Sequence, residues 1–191
     1  MNLTRYLALL FFGLVIVVLI VVLFFSNNSS QSTAQLNQKL NNFAAYSNTS
    51  AVASVEINGP ISAPSTHNEV KISVSAAEVN FQVYQGYDGS VINNVTLPNS
   101  QNSYGAFLRS LYMNGFDSTP KTNSVTSPVG ICSSGDTYSF TLSLGTANIV
   151  NAWQTNCSND IYTYNGILQN TLSLFEQQVP DYSNYISNLN L

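Results

Sequence analysis

The chain has 191 residues, of which 5 are Lys or Arg and 9 are Asp or Glu, with a formal net charge of −4. Charged residues make up 7%, against about 25% in ordinary globular proteins. The few basic residues (Arg5, Lys39, Lys71, Arg109, Lys121) are scattered, so no basic stripe exists to track a phosphate backbone and nucleic acid is excluded as a partner. Ser, Asn, Thr and Gln together contribute 75 residues, which makes the expected surface polar, nearly uncharged and unable to steer a partner by charge.

Tyr6 to Phe25, YLALLFFGLVIVVLIVVLFF, carries no charge. As a helix rising about 1.5 Å per residue it would reach about 30 Å, the hydrocarbon thickness of a bilayer. It is longer than a signal-peptide core and no A-x-A-like site follows. The expectation is therefore a retained single-pass anchor in the lipid bilayer. Arg5 precedes the run and no basic residue follows it until Lys39. By the positive-inside rule, residues 1–5 would be cytoplasmic and the rest of the chain outside.

Residues 26–33 read as a polar tether within a 26–50 connecting segment. Leu36, Leu40 and Phe43 then form a narrow apolar stripe on a short helix. From Ala51 the period becomes two. Val55 and Ile57 share one face. Pro60, Pro64 and Gly59 mark a loop. Val70, Ile72 and Val74 point inward in EVKISVS, and Val79, Phe81 and Val83 do so in VNFQVYQ. GYDG (86–89) is a turn, and SVINNVTLP is a further strand. Residues 69–97 thus read as an antiparallel meander with one wet face.

NSYGAFLRSLYMNGF predicts a helix with Tyr104, Phe107, Leu108 and Leu111 inward. It is stopped at Asn114-Gly115, with Phe116 folding back. Residues 117–130 are a long loop. A hairpin follows over TYSFTLSLGTANIVNAWQT, then a helix over GILQNTLSLFEQQ with Leu168, Leu172 and Phe175 in register. The order β-β-β-β-α-β-β-α predicts an α+β domain over 51–182, an antiparallel sheet with helices packed on one face, followed by a tail at 183–191.

The two cysteines flank the hairpin. Setting Cys132 opposite Cys157 centres the turn on Leu144-Gly145, pairs Phe140 with Ile149 and Tyr138 with Asn151, and puts Trp153 on the face of Tyr138 and Phe140. Opposed strand residues have Cα atoms about 4.5–5.5 Å apart, within disulfide range. The expectation is a disulfide. The alternatives lack material. A zinc site needs three or four ligands and the chain offers two Cys and one His. A Cys nucleophile needs a base, and the one imidazole, His67, reads as a solvated residue of a Pro-rich loop. No metal or other cofactor is expected.

Glu56, Glu69 and Glu78 offer carboxylate pairs for acid–base work, but their spacing favours solvated strand ends. Tyr84, Tyr87, Tyr104 and Tyr112 are candidate binding residues for a glycan or peptide, weighed against capping of the core.

Several phrases taken together, INGPI with His67 nearby, VYQGYDG, YGAFLRSLYMNGF, the pair GICSSGDTYSF and AWQTNCS, and LFEQQVPDY, resemble a family of uncharacterised, membrane-anchored extracytoplasmic proteins from small-genome, host-attached bacteria. The resemblance covers roughly residues 50–182. It implies an outside location and a disulfide, and no activity. The functional expectation is a non-catalytic binding or assembly domain of the cell envelope, partnered by an envelope protein or glycan. The alternatives are an accessory component of a pilus or secretion machine, and an envelope glycan or peptide hydrolase.

Overall fold

The computed structural model describes residues 14–17, 35–118, 127–157 and 162–191. The chain divides into two compact units, Met1–Asn41 and Asn42–Leu191. Residues 14–17 are helical, and so are residues 35–44, called α1. The expected tether at 26–33, most of Tyr6–Phe25 and the middle of the 117–130 loop lie outside the described residues.

The single-pass anchor is corrected here. Among the described residues no helix is long and apolar enough to cross a membrane, since crossing takes about 20 apolar residues. The fold class therefore stands as α+β, with no membrane-spanning helix among the described residues, and the localisation built on such a helix (cell membrane, N-terminus cytoplasmic, domain outside) falls with it.

The second unit is built on a six-stranded sheet of order β4-β3-β2-β1-β5-β6, every neighbouring pair antiparallel. The strands are β1 (Val52–Asn58), β2 (Asn68–Val74), β3 (Glu78–Gln85), β4 (Ser90–Pro98), β5 (Thr137–Leu144) and β6 (Ala147–Thr155). Between β4 and β5 lies α2 (Gln101–Met113); α3 (Leu168–Glu176) and α4 (Tyr182–Ile186) follow β6. The alternation read from sequence holds. Val55, Ile57, Val70, Ile72, Val74, Val79, Phe81, Val83, Tyr138, Phe140 and Leu142 are all buried in one core. They belong to one face because side chains alternate along each strand and the registers keep like with like.

That face is covered by helices. Ser100 caps α2, accepting from the Ser103 amide at 3.2 Å, which satisfies one of the free amides at the helix start. Tyr104, Phe107, Leu108 and Leu111 are buried as expected. Gly115 follows with φ 81°, a left-handed stop that a Cβ would disfavour. The chain then returns Phe116 against Phe43, Phe140 and Phe175. From α1, Phe43 is buried while Leu36 is exposed. In α3, Leu172 and Phe175 are buried. Tyr182 and Tyr185 of α4 pack on Phe81, and Leu189 and Leu191 lie against the same core.

The last hairpin departs from the expected register. Phe140 stands opposite Ala152 and Tyr138 opposite Gln154, three positions from the expected partners. The ladder shifts between Leu142 and Ser143, leaving Ile149 unpaired, and a bulge of this kind breaks the parity on which the face assignment rested. Trp153 consequently pairs with Ser139 and lies on the face away from Tyr138 and Phe140. Cys132 and Cys157 nonetheless form a disulfide, with Cα atoms 5.9 Å apart.

Candidate functional site

Among the described residues no helix packs on the other face of the sheet, and the registers set its side chains in rows across the strands. One row runs Asn151, Thr141, Ser54, Ser73, Asn80, Thr96; the next Trp153, Ser139, Glu56, Lys71, Gln82, Asn94; a third Thr137, Asn58, Glu69, Tyr84. Most of these residues are half-buried, as on an open sheet surface. Many are already hydrogen-bonded to one another across strands. Ser54 and Thr141 share a bond of 2.7 Å. The Asn80 amide donates to Asn94 Oδ1 at 3.2 Å and to Thr96 Oγ1 at 3.0 Å, and the Tyr84 hydroxyl donates to Gln82 at 2.9 Å. Such pairs fix rotamers in advance, so a ligand meets donors and acceptors already in place.

A cavity of about 270 Å³ opens on this face. Its floor is Glu56 and Asn58 of β1 with Thr137 and Ser139 of β5, and its walls include Ile61 and Val129. Ile61 and Val129 are strongly exposed for aliphatic residues, at 65% and 86%. The wall is held in place at several points. The Ile61 amide donates to Ser133 O at 2.9 Å, and the disulfide ties Cys132, itself a lining residue, to the end of β6. Asn156 accepts from the Asp136 amide at 2.8 Å and donates to its carboxylate at 2.9 Å. Gly135 stands so close to Asn156 and to the Cys132 sulfur that a Cβ there would collide with both, which is why this turn has no side chain.

Electrostatics centre on three residues. Glu56 Oε2 lies 3.5 Å from Lys71 Nζ. Glu69, diagonal to Glu56 across the β1–β2 ladder, has its pKa raised by burial first and then by Glu56, with Lys71 opposing. One cation facing two carboxylates leaves the patch net negative. Glu78 is exposed at the start of β3 and takes no part.

Glu69 gives a pH prediction together with Glu176, whose pKa burial also raises. A carboxyl raised in the folded state stabilises the fold below its unfolded pKa and loses that stabilisation as pH rises through the folded value. Wild type is expected to gain stability as pH falls from 7 toward 4.5, the range above the unfolded value. Asp88 is shifted down by its bonds to Ser90, the opposite sign, but it is fully exposed and screened. The variant E69Q/E176Q should be more stable than wild type at pH 7 and should flatten this dependence. Urea midpoints across pH 4.5–7 check it.

The four tyrosines do not converge. Tyr84 stands on the outer face. Tyr87 is exposed at the 86–89 turn, where its hydroxyl donates to Ser62 O at 2.9 Å and accepts from the Ser62 amide at 3.1 Å. Tyr104 is wholly buried in the core, and Tyr112 packs on Phe43 from the helix side. His67 is no solvated loop residue. It is 2% exposed, stacks on Tyr87 with ring centroids 4.1 Å apart and donates from Nδ1 to Pro60 O at 3.1 Å, pinning the 59–66 loop that carries Ile61. Among the described residues no group of three or more His, Cys, Asp or Glu stands together to hold a metal.

Sequence reasoning missed Ser139, Thr137, Ile61 and Val129. No family model matches the chain, and neither does any curated protein.

Proposed function

We propose that the Asn42–Leu191 unit is a non-catalytic binding and assembly module that works in an oxidising compartment and receives a protein partner on the outer face of its sheet. The disulfide supports the compartment. The observation that carries the binding reading is the pocket set into that face. It joins a carboxylate floor with net negative surroundings to exposed aliphatic walls. That combination suits a basic side chain, whose methylene stem lies on Ile61 and Val129 while its charged head reaches Glu56. The uncharged rows around it suit a polar protein surface, since they add hydrogen bonds without long-range attraction.

Amide shifts on titration with Nα-acetyl-lysine methylamide test this. Residues Asn58, Val129, Thr137 and Ser139 are expected to shift, the norleucine analogue to have no effect, and E56Q to lose the response. An oligosaccharide shifting the Ser54–Ser73–Asn80 row instead would replace the protein partner by a glycan. No shift with either would overturn the reading. A hydrolase reading has one observation behind it: Glu56 and Glu69 stand diagonal across the β1–β2 ladder, and burial raises the pKa of Glu69 in the direction a general acid needs. It requires turnover of a glycan or peptide that E69Q abolishes.

A further inference from the structure

The two edges of the sheet are finished differently. At β6 the edge is closed beside Trp153. Its amide donates to Thr163 Oγ1 at 2.9 Å, and its carbonyl accepts from the amides of Thr163 and Tyr164, each at 2.9 Å. At β4 nothing comparable occurs. Its nine residues pair with β3 on one side. Among the described residues, no other segment makes a backbone hydrogen bond to Ser90–Pro98. The strand alternates between exposed and half-buried residues, and Val91 and Ile92 are about half exposed.

A free edge is a row of unpaired amides and carbonyls, and monomeric proteins blunt such rows with charged side chains, an internal proline or a covering segment. SVINNVTLP has no charge, and its one proline is the last residue. The register shift between Val83 and Tyr84 touches one end, and residues 93–97 remain regular.

We infer that β4 is a self-pairing edge. A second copy of this chain adds its own β4 antiparallel about a two-fold axis at Asn94, joining two six-stranded sheets into one of twelve strands. Two features select a second copy rather than a foreign strand. In an isologous contact a strand's net charge faces the same net charge on its copy, and β4 has none to repel. The strand also matches itself in reverse. With Asn94 on Asn94, Asn93 stands opposite Val95 within the regular part of the strand. Asn93 and Val95 both point to the core face, opposite Val83 and Phe81, so the outer faces of the two copies become one surface. The pairing does not depend on what that surface binds.

Sedimentation equilibrium of the full chain in mild detergent tests it. Wild type is expected to form a dimer that dissociates on dilution. N94K, which sets two ammonium groups against each other at the axis, should weaken the dimer about tenfold or more, and mixing N94K with N94E should restore it. The N-terminal apolar run is the same in every variant, so association through it would not respond. A wild-type monomer at all concentrations, a dimer indifferent to N94K, or no recovery on mixing would each overturn the inference.

Discussion

Replacing both cysteines, C132S/C157S, is expected to lower stability by about 3–4 kcal/mol, the chain-entropy value for a loop of this length. The cross-link joins residues 25 apart in sequence and encloses the whole β5–β6 hairpin. Cutting it frees the unfolded chain. It also frees the wall of the pocket, because Cys132 sits in the segment that carries Val129 and is tied to Ile61 through Ser133. Two measurements should move together: the urea midpoint, and the lysine-amide response at Thr137 and Ser139. Reductant should bring wild type down to the double variant and leave the double variant unchanged. Superimposed unfolding curves for wild type with and without reductant would refute the claim.

The disulfide also shows what one-dimensional reasoning can reach. The pairing of Cys132 with Cys157 is right, but the geometry used to derive it is not. Cys132 lies before β5 begins at Thr137, and Cys157 lies after β6 ends at Thr155. The two are brought together by tails of unequal length, not by facing each other in a ladder. The bulge at Ile149 completes the offset. Bulges leave no periodic trace, whereas the alternation of Val70, Ile72 and Val74 does, so the core face was readable and the hairpin register was not.

The site lay further from view, for a topological reason. The strand neighbours within the β1–β4 meander and the β5–β6 hairpin follow from sequence order, but β1 pairs with β5 on its other side, across more than seventy intervening residues. Only that pairing brings Glu56 beside Ser139 and Asn58 beside Thr137. The candidate tyrosines divide along the same line. Tyr84 alternates with core residues in a strand and stays outside. Tyr104 and Tyr112 sit on a helix, where aromatic spacing of this kind is usually core. His67 was judged by the polarity of its loop, but a Pro-rich loop pinned at Pro60 and stacked on Tyr87 encloses its imidazole. The apolar run Tyr6–Phe25 is plain in sequence, and its length and lack of charge carried the step from apolar run to membrane crossing.

Phe140→Ala is expected to cost about 3–5 kcal/mol, the range for emptying a fully buried aromatic site. Phe140 is wholly buried and bears on Tyr164 at 4.3 Å and Phe116 at 6.1 Å between ring centroids. Tyr164 in turn shares a 2.5 Å hydrogen bond with Thr171 of α3. The cavity would therefore open at the junction of sheet, α3 and the turn after α2. The adjacent residue makes the contrast. Ser139 points to the outer face and lines the pocket, so Ser139→Val should change stability by no more than about 0.5 kcal/mol while weakening the lysine-amide response. Chemical denaturation and the same titration, run on both variants, separate the two roles. If F140A bound lysine amide normally at full stability, or S139V unfolded the domain, the division of one strand into a core face and a binding face would be wrong.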